Sequence, residues 1–140
     1  MSTAEITAAI PHRPPFLFLD EVVSSADDRI HCRRTFTGEE AFYQGHYPRQ
    51  PITPGVILCE AAMQAGAVLL SRRVSGEGVP VATRMNDVRF KRIVEPGETV
   101  DIEVTLDDEL GGAFYLTGRV SVGGKLAARL SFACTLTEAP

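Results

Sequence analysis

The pattern of apolar and polar residues divides the chain into two groups of strands with one long apolar segment between them. In the first group, apolar and polar residues alternate over 29–36, which predicts a strand because neighbouring side chains of a strand point to opposite faces of a sheet. The run 16–23 is more uniformly apolar and predicts a strand that is buried on both faces. Short helical segments are predicted at 3–10 and 37–43.

Beyond residue 78 the chain shows only strand patterns, which are separated by turns rich in glycine, proline and acidic residues. The patterns predict four strands, at residues 79–93 with a bulge, 99–106, 113–122 and 125–136. The predicted turns are Pro96-Gly97, residues 107–112 and Gly123-Gly124. The four strands are expected to follow one another as a meander.

The segment between the two groups, residues 54–73, predicts a single long helix. It is almost entirely apolar or small, which is typical of a helix in a protein core. Thr53 stands at the expected N-cap, Pro54 at the first helical position, and residues 75–78 are expected to end the helix. The helix is rich in small residues that would let a sheet approach closely, namely Ala61, Ala62, Ala65, Gly66 and Ala67.

These elements together predict an α+β fold that forms one domain over residues 1–140. A sheet with an apolar face needs a cover, and the chain offers one substantial helix to provide it. The economical arrangement is an antiparallel β-sheet wrapped around that one long central helix.

Composition narrows the expected partners and compartment. The net charge of −4 argues against nucleic acid as the main partner, and no apolar run is long enough for insertion into a membrane. The first ten residues lack the basic start of a signal peptide. The three cysteines, Cys32, Cys59 and Cys134, are far apart and are expected to be reduced and buried, which favours the cytoplasm. The histidines show no paired ligand spacing, so no metal site is expected.

Two titratable residues flank the start of the predicted helix. His46 lies in a loop stiffened by prolines, and a neutral imidazole is suited to accept a proton at neutral pH. Glu60 lies near the middle of the apolar helix, where burial favours the protonated carboxyl. Such a pair meets the needs of general acid–base catalysis. Gln64 is four residues after Glu60 and therefore shares its helix face.

The motif around these residues resembles a known family. Gly45-His46-Tyr47-Pro48, followed by Pro54-Gly55, Glu60 and Gln64, closely resembles the hot-dog-fold 3-hydroxyacyl-[acyl-carrier-protein] dehydratases of the FabZ type. The resemblance implies a hot-dog fold and an enzyme that removes water from a (3R)-3-hydroxyacyl thioester, giving the trans-2-enoyl thioester in fatty acid or related lipid and polyketide biosynthesis. Tyr47 replaces the usual Phe and Arg49-Gln50 the usual Gly-His, which leaves the acyl chain and the pathway open.

The resemblance also implies roles for individual residues. His46 is the candidate base at C2, Glu60 the candidate acid at C3, and the amide of Gly55 the candidate stabiliser of negative charge on the thioester oxygen. Gln64 is the candidate residue that orients Glu60. No cofactor is implied beyond the phosphopantetheine arm of the acyl carrier protein, which carries the substrate. The family works as a homodimer with shared sites, in which His46 of one protomer meets Glu60 of the other, and often assembles further as a trimer of dimers.

A local basic cluster, which consists of Arg84, Arg89, Lys91 and Arg92, stands out in this acidic chain. It is interpreted either as a solvated strand edge or as a docking surface for the acidic acyl carrier protein. His12 and Arg13 match the family, and a structural role is expected for both.

Two other functions stay open. An acyl thioesterase on the same fold would use a carboxylate to direct water at the acyl carbonyl, and the loop that carries His46 opposite Glu60 disfavours it. A catalytically silent hot-dog subunit would only complete a larger assembly. The joint presence of His46, Gly55 and Glu60 disfavours that alternative.

Overall fold

The structure, a computed structural model, describes residues 3–73 and 78–138. In chain order the elements are helix α1 (Thr3–Ala9), strands β1 (Glu21–Ser25) and β2 (Arg29–Thr35), a 3₁₀ turn (Ala41–Tyr43), helix α2 (Gly55–Ser71), and strands β3 (Gly78–Phe90), β4 (Thr99–Leu110), β5 (Ala113–Val122) and β6 (Lys125–Glu138). The strands form one antiparallel sheet in the order β1-β2-β4-β5-β6-β3. Helix α2 packs against β2 through β6. The predicted architecture, a sheet wrapped around one long helix, is confirmed.

Small residues let the sheet lie close to α2, as the sequence predicts. Ala61, Ala62 and Ala65 of α2 are completely buried. A Cβ atom added at Gly118 of β5 would lie 2.9 Å from the Cβ of Ala62, which is closer than real Cβ atoms approach one another. The helix and the sheet therefore touch through backbone and methyl groups at this point.

Gly118→Ala is expected to destabilise the protein by about 1–3 kcal/mol, because the new methyl group would overpack against the methyl group of Ala62, which has no rotamer that moves it aside. Urea unfolding measures the change. Gly45→Ala is the matched control, since nothing lies within 4 Å of a Cβ added there and its φ is not in the positive range. The control is expected to change the free energy of unfolding by less than about 0.5 kcal/mol. Equal losses in the two variants would contradict the tight helix–sheet contact.

Residues 16–20 do not form the first half of the predicted strand at 16–23, because β1 begins only at Glu21. Leu17, Phe18 and Leu19 are buried in the core, whereas Phe16 and Val23 are 51% and 41% exposed. The prediction of burial on both faces is therefore correct only for the middle of the segment, and that of strand pairing is wrong for residues 16–20. The side chain of Gln64 forms hydrogen bonds with two backbone groups of this segment that would otherwise be free to pair with a neighbouring strand. Its Oε1 accepts from the amide of Phe18 at 2.8 Å, and its Nε2 donates to the carbonyl of Phe16 at 2.9 Å.

Helix α2 begins at Gly55, and Pro54 rather than Thr53 is its N-cap residue, so the predicted cap is wrong. The hydroxyl of Thr53 is buried and lies 2.5 Å from the hydroxyl of Tyr43, which leaves it unavailable to the amides of the helix. The helix ends at Ser71, two residues before the predicted end. Residues 75–77 of the predicted terminating segment lie outside the described residues.

The last four strands are not a simple meander. Strand β3 pairs with β6 rather than with β4, because β2 already occupies the free side of β4. The expected bulge in β3 is confirmed by register shifts between Ala82 and Arg84 and between Asn86 and Arg89. Strand β4 extends through most of the predicted turn at 107–112, and two glycines with positive φ, Gly111 and Gly112, complete the turn alone.

Strand β3 is a long edge strand with an apolar surface. It is 13 residues long, and its outer side has no partner strand within the described sheet. Four of its large apolar residues are exposed: Val81 and Met85 at 43%, Val88 at 36% and Phe90 at 55%. A long edge of this kind offers its free backbone groups to another strand.

The three cysteines are free and buried, as predicted. Burial raises the pKa of the Cys32 thiol to about 12, that of Cys134 to about 11, and that of Cys59 above its usual value. Because the thiolate is the reactive form, brief alkylation at pH 8 is expected to modify none of them in the folded protein and all three in guanidinium. Mass spectrometry counts the adducts. Modification of any cysteine in the native protein at the unfolded rate would contradict this burial.

Candidate active site

The loop before α2 fixes the ring of His46 through one nitrogen. Its Nδ1 lies 3.0 Å from the carbonyl oxygen of Ile52. Because a carbonyl only accepts hydrogen bonds, Nδ1 carries the hydrogen of the neutral ring and Nε2 keeps its lone pair. Tyr47 packs edge-on against the ring, with centroids 4.9 Å apart, and has a φ of 52°, which is uncommon for a non-glycine residue. The loop thus holds an imidazole whose basic nitrogen is Nε2.

His46 lines a cavity of about 580 Å³ at the N-terminal end of α2, together with Tyr47, Gly55, Phe90 and Ile93. The cavity wall is largely apolar. A weakly hydrated wall of this kind strengthens the interaction of any charge that develops beside it.

Gly55 places the start of α2 in the same wall. The amides of Ile57 and Leu58 are the first to donate to the carbonyl of Pro54, so the amide of Gly55 precedes the hydrogen bonds of the helix. An added Cβ at Gly55 would lie 2.5 Å from the ring of Phe90, so a larger residue there would displace that ring, which is 55% exposed. An amide at a helix N-terminus suits an oxyanion, which is the role predicted for it.

Glu60 lies in a second cavity of about 330 Å³, with His12, Met63, Cys134 and residues 79–82 of β3 among its lining. Its side chain is 22% exposed, so it is partly rather than completely buried. The neighbouring Gln64 donates from Nε2 to the Oε2 atom of Glu60 at 3.0 Å.

Gln64 is a rigid donor to this carboxyl group. It is buried, and its amide is held on both ends by the backbone of Phe16 and Phe18. The amide therefore cannot turn away from Glu60 without losing two other hydrogen bonds. This geometry suits the orienting role predicted for Gln64.

One chain does not bring the candidate base and acid together. Among the described residues, the His46 cavity and the Glu60 cavity share no lining residue. Gly55 and Glu60 are five residues apart on α2, which places them on different faces of the helix. The structure thus presents two half-sites, one with His46 and Gly55 and one with Glu60 and Gln64.

The predicted basic cluster is divided in the structure. Only Lys91 and Arg92 line the His46 cavity. Arg92 pairs with Glu98 at 3.0 Å, and this contact lowers the pKa of Glu98. Arg89 pairs with Asp87 at 2.9 Å, while the guanidinium of Arg84 lies 6.0 Å from the centre of the Tyr115 ring.

The structure places His12 beside Glu60, whereas the sequence predicts only a structural role for it. Its Nε2 lies 3.6 Å from the Oε2 atom of Glu60. No spacing pattern links the two residues, because a loop and two strands separate them in the chain. The expectation for Arg13 agrees with its contacts, since its guanidinium donates to the carbonyls of Thr7, Ile10 and His12.

Two further observations concern the whole described chain. Within residues 3–73 and 78–138, no group of three or more His, Cys, Asp or Glu side chains is arranged to hold a metal ion. None of the helices in the same ranges has both the length and the apolar composition needed to cross a bilayer.

Comparison with known proteins gives a consistent result. The FabA-like domain family matches residues 10–131. The chain is 35% identical over 142 aligned positions to the 3-hydroxyacyl-[acyl-carrier-protein] dehydratase FabZ of Shewanella woodyi, covering 99% of this chain and 93% of that protein. It is 38% identical over 137 positions to the FabZ of Streptococcus pyogenes serotype M3, covering 96% and 99%.

Solved structures show the same fold at lower identity. A chain of the dehydratase heterocomplex ApeI:P from Xenorhabdus doucetiae superposes with a TM-score of 0.81 at 18% identity, covering 95% of this chain and 91% of that one. A putative thioesterase from Ralstonia eutropha superposes with a TM-score of 0.69 at 15% identity, covering 82% and 83%. Since dehydratases and thioesterases share this architecture, the fold alone does not separate the two activities.

The fold and the family match define a hot-dog-fold protein of the FabA-like family. Within that family, the chain belongs to the FabZ-type 3-hydroxyacyl-[acyl-carrier-protein] dehydratases, as its identity to them over nearly its full length shows.

Proposed function

We propose that this protein removes water from a (3R)-3-hydroxyacyl group carried on acyl carrier protein and forms the trans-2-enoyl thioester. In this reaction, Nε2 of His46 takes a proton from C2, and the electron pair of that bond forms the new double bond. The carboxyl group of Glu60 gives its proton to the C3 hydroxyl, which leaves as water. The amide of Gly55 donates to the thioester oxygen while negative charge develops on it.

The observation that carries the proposal is the hydrogen bond from Nδ1 of His46 to the carbonyl of Ile52. It leaves Nε2 as the basic nitrogen of the ring, which is the group that the proposed removal of a proton from C2 requires. The rigid Gln64 supports the proposed proton transfer from Glu60. Its Nε2 donates to Oε2 of Glu60, so Oε1 is the oxygen that carries the transferable proton.

The position of β3 supports a homodimer with two shared sites. Residues 79–82, near its start, line the Glu60 cavity, and residues 90–93, at and beyond its end, line the His46 cavity. If two copies of β3 pair antiparallel about a two-fold axis, the start of one strand lies beside the end of the other. Each Glu60 cavity then meets the partner's His46 cavity. The pairing would also cover the exposed apolar residues of this edge.

Lys91 is the residue of the basic cluster that best suits carrier docking. It lines the His46 cavity, and within the described residues it has no carboxylate partner, whereas Arg92 is paired with Glu98. A cation beside this cavity would attract the acidic carrier protein and bring the phosphopantetheine arm toward the site.

Mass spectrometry of a short 3-hydroxyacyl group on acyl carrier protein tests the proposed reaction. The wild-type protein is expected to remove one water, and to add one water to the trans-2-enoyl substrate, since one site catalyses both directions. Release of the free acid without an enoyl product would point instead to a thioesterase. Binding of the carrier with no change of its acyl group, over a series of chain lengths, would point to a silent subunit.

A further inference from the structure

His12 shares the Glu60 cavity and approaches the same carboxylate oxygen as Gln64. Its Nε2 lies 3.6 Å from Oε2 of Glu60, which is longer than a hydrogen bond and within the range of an electrostatic contact. Contacts at catalytic carboxyl groups often tighten only when substrate is bound. The backbone at His12 is held in place, because its carbonyl accepts from the guanidinium of Arg13 at 2.7 Å.

The surroundings of the His12 ring favour one tautomer. Its Nδ1 is buried and has no hydrogen-bond partner among the described residues. A buried N–H without an acceptor is among the rarest groups in proteins, whereas an unpaired acceptor is better tolerated. The hydrogen of the neutral ring is therefore placed on Nε2, where it faces the carboxyl group of Glu60.

We propose that His12 is a positioning residue for the acid, and that it acts with Gln64 to hold Oε2 of Glu60 between two N–H donors. With both donors on Oε2, the carboxyl proton is carried by Oε1, and the carboxylate that remains after proton transfer keeps two donors. The inference rests on the proposed function of Glu60. It adds His12, which lies outside the motif that contains His46 and Glu60, to the residues that act on the reaction through Glu60.

A series of three variants tests this role in the full-length protein. His12→Leu removes the donor and keeps an apolar side chain of similar size. His12→Gln places an amide N–H near the position of Nε2, whereas His12→Asn places it near Nδ1. His12→Leu is expected to lower kcat by about 10- to 100-fold, the range for loss of one hydrogen bond to an ionised group, with KM changed less than about threefold. The Gln variant is expected to recover most of kcat, and the Asn variant is not.

Three outcomes would overturn the assignment. They are an unchanged kcat in His12→Leu, equal activity of the Gln and Asn variants, and activity losses that follow the melting temperature across all three. If His12→Leu fails to fold, the comparison of Gln with Asn still decides, because the two polar side chains differ in reach rather than in chemistry.

A readout that does not require activity separates this inference from the proposed reaction. ¹⁵N spectra of the imidazole nitrogens report which nitrogen carries the hydrogen in each of the three histidines. His12 is expected to be protonated on Nε2, with its signal displaced in Glu60→Gln. His46 is expected to be protonated on Nδ1. An Nδ1–H tautomer at His12 would overturn the inference even if the protein is a dehydratase, whereas an inactive wild type with an Nε2–H at His12 would refute the reaction alone.

Discussion

Glu60→Gln is expected to lower the turnover of 3-hydroxyacyl substrate by roughly 10²- to 10⁴-fold, the usual contribution of a general acid or base. Glutamine has nearly the same size and keeps an oxygen that can accept the hydrogen bond from Nε2 of Gln64, which Glu60 Oε2 accepts at 3.0 Å. It has no carboxyl proton to give to the leaving hydroxyl. The fold is expected to remain intact, because the side chain of Glu60 is already 22% exposed.

Single-turnover dehydration and thermal unfolding of the same preparation measure these two effects. Glu109→Gln is a suitable control, since this carboxylate lies on β4 and lines neither half-site, and its one ion pair among the described residues is with exposed Arg73 at 3.6 Å. The control is expected to keep wild-type turnover. Near-wild-type turnover by Glu60→Gln would remove Glu60 from the mechanism.

His46→Ala is expected to cause a loss of the same order, roughly 10²- to 10⁴-fold, because it removes the base that takes the proton from C2. The protein is expected to fold, since the lost bond to the carbonyl of Ile52 lies in a loop outside the core. The decrease is expected in kcat rather than in KM for the carrier-bound substrate, because docking depends on other residues.

Two substitutions serve as controls for this variant. His31→Ala removes a histidine that pairs with Asp101 on the sheet and lines neither half-site, and it is expected to keep full turnover. Tyr47→Phe keeps the ring that packs edge-on against His46 and is expected to keep turnover within about threefold. A His46→Ala protein as active as His31→Ala would refute the assignment of the base.

Local patterns predicted much of the fold. The alternation at 113–122 predicts both ends of β5 correctly, and the glycine pair at 123–124 predicts the turn that follows it. Both features depend on short-range geometry. The strand prediction is wrong at residues 16–20 because two backbone groups there, the amide of Phe18 and the carbonyl of Phe16, pair with the side chain of Gln64, which is 46 and 48 residues away. The edge position of β3 also depends on long-range pairing. Strand β2 lies beside β4, so β3 pairs with β6 at the other side of the sheet.

In the candidate site, too, the sequence predicts the residues that lie close together in the chain better than the contacts between distant residues. His46, Gly55, Glu60 and Gln64 lie within one continuous motif, so their residue types and spacing could be read directly. The sequence predicts only a structural role for His12, because its contact with Glu60 exists only in the folded chain. The family resemblance already implies that His46 and Glu60 of one chain act in different sites, and the fold places them in different cavities.

A dimer that combines the two inactive variants tests directly whether each site is shared between protomers. His46→Ala and Glu60→Gln chains with different affinity tags are co-expressed and purified through both tags. If each site takes its histidine from one chain and its glutamate from the other, one of the two sites is fully intact. A shared site predicts about half of the wild-type turnover for the mixed dimer, whereas both homodimers are inactive. A mixed dimer as inactive as the homodimers would contradict the shared site, because both sites would then contain one substitution.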